Sequence, residues 1–477
     1  MTIGIPPADL ADRGDLAAIV KNYDVRGLVG VTITEPVVTA LGAATVDELG
    51  LAGSEVVIGH DMRDSSPAFA DAFARGARAR GAKAIHLGQC STDMTYYASG
   101  VRDAAAAMFT ASHNPAAYNG MKLSAAGAKG ISLDTGLAAI RDRAAAYLAE
   151  GIPAVEVDPG EERIDVLGDY AAYLRGLVDL AAIRPLKIVV DAGNGMAGAT
   201  VPAVLGGAAG LPKLPIEIVP MYFEPDGNFP NHEANPLDPK NLVDLQRRVI
   251  EEHADLGLAF DGDADRCFVV DERGHGVSPS AVSTIVAERE IARVRAAGET
   301  TPVIIHNLLV SRAMIEAIEA AEATPVRTRV GHSLIKEQMA RTNAVFGGEH
   351  SAHYYFREFW GADNGMLAAM HFLAEVGSAP TRVSEFAAAR TPYFASGEIN
   401  STVADVPAAY ERLVSAFGGV ATIDELDGLT FTGNDAEWWW ANVRPSNTEP
   451  LLRLNVEAKT TEQMARIRDA FLELIRA

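Results

Sequence analysis

The chain has 477 residues, so at about 150 residues per domain three domains are the starting expectation. A composition of 48% hydrophobic and 22% charged residues is that of a globular protein and excludes a disordered one. The formal net charge of −22, from 41 Lys+Arg against 63 Asp+Glu, excludes a general nucleic-acid binder, which needs a basic footprint, and disfavours docking on an anionic membrane.

From the N-terminus, Met1–Pro7 carries no basic or apolar leader, so a signal peptide is not expected. No apolar run approaches the roughly 18 residues that a membrane span needs. Cys90 and Cys267 are too few for a disulfide framework and are expected to be reduced thiols in a cytoplasmic protein. Short apolar runs then alternate with Ala-rich helical stretches. Strands are expected at Val56–Gly59, Ala84–Leu87, Ala106–Thr110, Ile188–Asp191, Ile216–Val219, Leu256–Phe260, Val303–His306 and Val326–Val330. Helical patterns between them include Ala68–Arg80, Leu242–His253 and Ala281–Ala297. This alternation predicts βαβ units in parallel or mixed sheets, which bind ligands at the carboxyl ends of their strands. After residue 391, expected strands at Ile423–Thr432, Trp438–Val443 and Leu451–Glu457 and a closing helix at Glu462–Ile475 form a small α+β domain. The fold class is α/β with a C-terminal α+β domain, with boundaries expected near 155, 273 and 390. Trp438-Trp439-Trp440 reads as core of the last domain.

Four loops carry chemistry. Thr110–Pro115 follows an apolar run and leaves Ser112 exposed at a strand end beside His113. A serine next to a histidine suggests a nucleophile, although the G-x-S-x-G elbow is absent; the plainer alternative is a Ser/Asn/Pro turn. Lys122 lies shortly downstream. In Asp261-Gly262-Asp263-Ala264-Asp265-Arg266, three carboxylates alternate with small residues after a strand. They would repel without a cation, and hard divalent cations take several oxygen ligands. An EF-hand is disfavoured by Arg266 at the position that needs glycine. A haloacid-dehalogenase-type phosphatase would leave the Ser112 loop unexplained. Gly347–His353 offers Glu349 and Ser351 to sugar hydroxyls, or is an ordinary glycine turn. Arg444–Pro450 combines Arg444, Ser446, Asn447 and Thr448, a set suited to a phosphate, or connects two strands as a hairpin.

Taken together and in order, these loops resemble those of the α-D-phosphohexomutases, most closely the bacterial phosphomannomutase/phosphoglucomutase branch. Tyr23–Gly27, Asn228–Pro236 and Gly331–Lys336 are also similar to family segments, so the resemblance spans almost the whole chain. It implies four domains round a central cleft, with three related mixed α/β domains and a TATA-binding-protein-like fourth: a phosphoserine domain (1–155), a metal-binding domain (156–273), a sugar-binding domain (274–390) and a phosphate-binding domain (391–477). It implies phosphoryl transfer between O1 and O6 of a mannose or glucose phosphate through a phosphoserine at Ser112 and a hexose 1,6-bisphosphate intermediate and activator. Mg²⁺ would be held by Asp261, Asp263, Asp265 and Ser112. Arg26, Lys122 and His113 would flank the reacting phosphoryl group. Arg266, His332, Glu349, Ser351 and His353 would bind substrate, and Arg444, Ser446, Asn447 and Thr448 the non-reacting phosphate. The expected partner is a small hexose phosphate, with neither nucleic acid nor membrane, and the chain is expected to be a monomer or weak homodimer. Ala352 and Ala264 stand where glycine is common in the family, and Leu309 where some relatives place a lysine. Phosphoglucosamine mutase and a non-catalytic sugar-phosphate sensor remain alternatives, separable by assay.

Overall fold

The computed structural model describes residues 4–10, 14–153, 155–433, 438–445 and 451–477. Four sheets follow one another along the chain. The first runs in the order Val25–Leu28, Tyr118–Ala125, Ala105–Phe109, Glu55–His60, Lys83–Gln89, Glu161–Arg163, with Lys129–Gly130 added beside Tyr118–Ala125. The last four strands of this order pair in parallel, and Tyr118–Ala125 runs antiparallel to both its neighbours. Ala105–Phe109 is buried along its whole length, as in a sheet covered on both faces. The period of two then divides each strand between two cores. Val57, Ala106 and Met108 join an apolar core continuous with the second and third domains, whereas Val56, Ile58, Ala107 and Phe109 face the first domain's own core.

The second sheet has the order Gly276–Val277, Cys267–Asp271, Leu256–Phe260, Leu186–Asp191, Ile216–Met221. The third has the order Thr324–Thr328, Val303–Asn307, Phe346–Gly348, Tyr354–Phe356, Ala362–Asp363. Both mix parallel and antiparallel pairs. The fourth sheet is antiparallel, built on Leu451–Ala458, Trp439–Pro445, Leu429–Gly433 and Ala421–Asp424, with helices Val406–Phe417 and Thr461–Arg476 packed on one face.

Several expectations shift. Glu161–Arg163, placed in the second domain by a boundary near 155, extends the first sheet, and Gly276–Val277, beyond the boundary near 273, belongs to the second. Ile423–Thr432 is not one strand but a hairpin, turned through Gly428 at φ +66°. The tryptophan triplet is divided by strand alternation. Trp439 packs on Phe417 and Phe471 in the last domain's core, whereas Trp438 lies over the Arg312 guanidinium and Trp440 donates to Glu457.

Candidate active site

Ser112 lies just past the end of Ala105–Phe109 in the left-handed backbone region, φ +49°. That conformation is unusual for a residue with a side chain and marks a position held by its surroundings. Ser112 is only 4% exposed, which corrects the expectation of an exposed serine. The cover comes from the second domain. The 261–266 loop follows Leu256–Phe260 and approaches so closely that a Cβ on Gly262 would stand 2.6 Å from the Ser112 carbonyl oxygen. Ala264, one of the two alanines where glycine is common, has φ +63°, and Ala352, the other, φ +65°, the region that favours glycine.

Ser112 Oγ donates to Asp261 Oδ2 at 2.8 Å, and Arg266 Nη2 donates to Ser112 Oγ at 3.1 Å. Arg266 also binds Asp261 through Nε at 2.8 Å. His113 Nδ1 stands 3.2 Å from Ser112 Oγ but accepts a hydrogen bond from Arg266 Nη2. Burial, followed by the Arg266 charge, holds the His113 imidazole well below its ordinary pKa. The Ser112 hydroxyl therefore directs its hydrogen bond to Asp261 rather than to His113.

Lys122, on the strand beside Ala105–Phe109, reaches Asp263 Oδ2 at 2.7 Å and Asp265 Oδ2 at 2.5 Å. Burial would discharge this lysine, but the two carboxylates hold its pKa well above the ordinary value, so it is a fixed cation. Thr92 Oγ1, at the start of helix Thr92–Arg102, also donates to Asp263 Oδ2 at 2.6 Å. Burial, then the facing Asp263 carboxylate, push Asp265 up to about 7. Arg26 donates to Asn114 Oδ1 at 2.5 Å and to Asp24 at 2.6 Å, which ties it to the Ser112 loop.

The donor set fits a divalent cation. Oxygens of Asp261, Asp263 and Asp265, all buried, lie within 4.8 Å of one another, and Asp263 Oδ1 and Asp265 Oδ1 find no hydrogen-bond partner among the described residues. Asp265, His353 and Asp363 form a second close group, but Lys336 already neutralises Asp363 at 2.7 Å. His353 Nδ1 lies 3.3 Å from Asp363 and 3.9 Å from Asp265. Its backbone bridges to Arg266, which links the third domain's loop to the second's.

Glu349 accepts from Ser351 Oγ at 2.7 Å and from Tyr355 OH at 3.2 Å, so both carboxylate oxygens are oriented. Arg444 is 8% exposed and pairs with Glu398 at 3.0 Å. His332 opens helix His332–Thr342; its side chain, and all of Ser446, Asn447 and Thr448, lie outside the described residues. The sequence reading missed Asp363, Lys336, Thr92 and Arg63. Arg63 stands just after the strand Glu55–His60, where a search of strand carboxyl ends finds it.

Three α/β domains and an α+β fourth, with a buried serine set against a triple-carboxylate loop of the next domain that could hold a metal ion, define a multidomain α/β protein. Family models match it across the chain. The phosphoglucomutase/phosphomannomutase alpha/beta/alpha domains I, II and III match residues 17–149, 168–274 and 279–394, and the C-terminal domain matches 398–474. The chain belongs to the phosphoglucomutase/phosphomannomutase family and is a mutase, that is, an isomerase. It is 40% identical to the phosphohexose mutases of Xanthomonas campestris pv. campestris over 92% of this chain and 94% of that one. It is 36% identical to the phosphomannomutase/phosphoglucomutase of Pseudomonas aeruginosa, over 97% and 96%. The crystal structure of a phosphoglucomutase/phosphomannomutase family protein from Burkholderia thailandensis superposes with a TM-score of 0.84 at 29% identity, covering 96% of each chain. Among the described residues no helix is long and apolar enough to cross a membrane.

Proposed function

We propose that this mutase moves a phosphoryl group between O1 and O6 of mannose or glucose phosphates, by way of a phosphoserine at Ser112 and a hexose 1,6-bisphosphate that also primes the enzyme. The observation that carries this reading is the 2.8 Å contact between Ser112 Oγ and Asp261 Oδ2, which sets the hydroxyl of one domain against the carboxylate loop of the next. Mg²⁺ held by Asp261, Asp263, Asp265 and the phosphoserine would neutralise charge on the transferring group. The protein's own cations add to this. Arg266 points its guanidinium at Ser112 Oγ, the oxygen that bonds or leaves phosphorus, and Lys122 is kept charged by its two carboxylates.

When a sugar hydroxyl attacks, its bond to phosphorus replaces the Ser112 bond, the hydroxyl gives up its proton, and Ser112 Oγ regains one and returns to Asp261. Arg26 steadies the loop through Asn114, and His113 positions Arg266 through Nδ1. Glu349 and Ser351, with His332 and His353, would grip ring hydroxyls that are equivalent in the two binding orientations. Arg444, with Ser446, Asn447 and Thr448, would hold the phosphate that does not react; an incoming phosphate competes with Glu398 for the Arg444 fork.

A substrate panel of mannose 1-phosphate, glucose 1-phosphate and glucosamine 6-phosphate, each with a bisphosphate primer, tests this reading. Turnover of the neutral sugars is expected. Preference for the amino sugar would reassign the substrate, and binding without turnover would make the protein a sensor.

A further inference from the structure

Arg63 belongs to none of the loops so far given a part in the reaction, yet its side chain is spent entirely on one of them. It is 2% exposed, and each of its five N–H groups has an acceptor. Nε donates to Asp61 Oδ2 at 3.1 Å. Nη1 donates to the carbonyls of Pro115 and Tyr118, both at 2.9 Å, and Nη2 to those of Ser112 at 2.9 Å and Asn114 at 2.7 Å. Four of the five acceptors thus lie between Ser112 and Tyr118. Converging carbonyl oxygens repel one another, so this turn of the chain needs a planar cation with forked donors at its centre. The fork is itself fixed. Asp61 Oδ1 accepts from the Arg63 amide at 3.0 Å and from Ser66 Oγ at 2.6 Å, and Ser66 accepts from Asn119 at 2.9 Å. Phe229 of the second domain covers the guanidinium at 5.2 Å.

We propose that Arg63 is the positioning residue of the reaction: through the Ser112 carbonyl and its three neighbours it holds the left-handed Ser112 backbone, and so aims Oγ along the line of phosphoryl transfer in both half-reactions. It acts through the loop and touches no substrate. The inference rests on the phosphoserine reading of Ser112. Lysine keeps the charge but offers three donors from a single point, so it cannot serve four carbonyls and Asp61 together.

The test uses full-length Arg63→Lys and Arg63→Met with glucose 1-phosphate as substrate and glucose 1,6-bisphosphate as primer. Steady-state constants are measured beside the rate at which the Ser112 peptide gains a phosphoryl group, with the wild type in parallel. The expected result is a kcat about 100-fold lower with KM changed by less than about threefold, because a misplacement near 1 Å costs reactivity rather than ground-state binding. Folded variants with a near wild-type kcat, or with the loss confined to KM, overturn the proposal. Should both variants fail to fold, Ser66→Ala removes the hydroxyl that holds Asp61 and accepts from Asn119, while leaving Arg63 itself in place, and is expected to lower kcat about tenfold at constant KM, a smaller displacement of the same kind; an unchanged kcat there overturns it too. A wild type that never carries phosphoryl on Ser112 refutes the phosphoserine reading itself. A wild type and an Arg63→Lys variant labelled equally fast refute only the part given to Arg63.

Discussion

Replacing Asp265 by Asn separates the cost of the carboxylate cluster from its use. In the cation-free protein burial and the Asp263 carboxylate raise Asp265 from 3.8 to about 7. A rise of about three pH units at about 1.4 kcal/mol each means that keeping Asp265 ionised costs the fold about 4 kcal/mol above pH 7. Because the folded value is raised, the group's contribution to stability is full below pH 3.8 and is lost as pH climbs through about 7. An amide cannot ionise, so the variant avoids that loss, and Lys122 keeps its second partner, Asp263, at 2.7 Å. The assay is thermal unfolding in EDTA and in excess Mg²⁺, at pH 5 and pH 8. In EDTA the variant should unfold at a higher temperature than the wild type at pH 8, and its advantage should shrink to less than half at pH 5, where about 1.6 of the ~4 kcal/mol has been lost. Magnesium at about 100 times its Kd should return about 2.7 kcal/mol to the wild type and much less to the variant. A variant less stable than the wild type in EDTA at pH 8, with an undiminished magnesium response, would refute both the strain in the cluster and its assignment as a cation site.

Gly262→Ala should lower kcat roughly 10- to 100-fold while the protein stays folded, because the new methyl would stand 2.6 Å from the Ser112 carbonyl oxygen that Arg63 also holds; kinetics at the wild-type level would show that the contact relaxes without moving Oγ. Arg444→Ala should raise KM about tenfold or more, the worth of a charge-assisted phosphate contact, with less effect on the rate at which Ser112 is phosphorylated. An unchanged KM would remove Arg444 from phosphate binding.

Much of the fold was legible because buried strands advertise themselves. Leu256–Phe260 is apolar throughout, so its pattern alone marks both ends of the strand and the loop that follows it. What failed was what depends on distant chain. Ser112 reads as exposed because nothing near it in sequence covers it; its cover is the loop of Asp261, 149 residues away. Trp438, Trp439 and Trp440 read as one core block because hydrophobicity alone does not say which side a strand residue takes, and the two outer rings face Arg312 and Glu457 instead. Ile423–Thr432 merged two strands because its apolar and polar residues continue through the turn that Gly428 makes. Within the site, the serine, the lysine and the three aspartates were visible as motifs. Their supports were not, since Arg63 and Asp363 matter only through what the folded chain brings to them.

The central claim is that Ser112 carries the phosphoryl group through the reaction. The direct measurement is to load the protein with radiolabelled hexose 1,6-bisphosphate, map the labelled peptide, and chase with unlabelled hexose phosphate. One phosphoryl group on Ser112 that leaves at the turnover rate, and a Ser112→Ala variant that folds but neither labels nor turns over, is the result this account predicts. Label on another residue, or turnover that survives in Ser112→Ala, would contradict it.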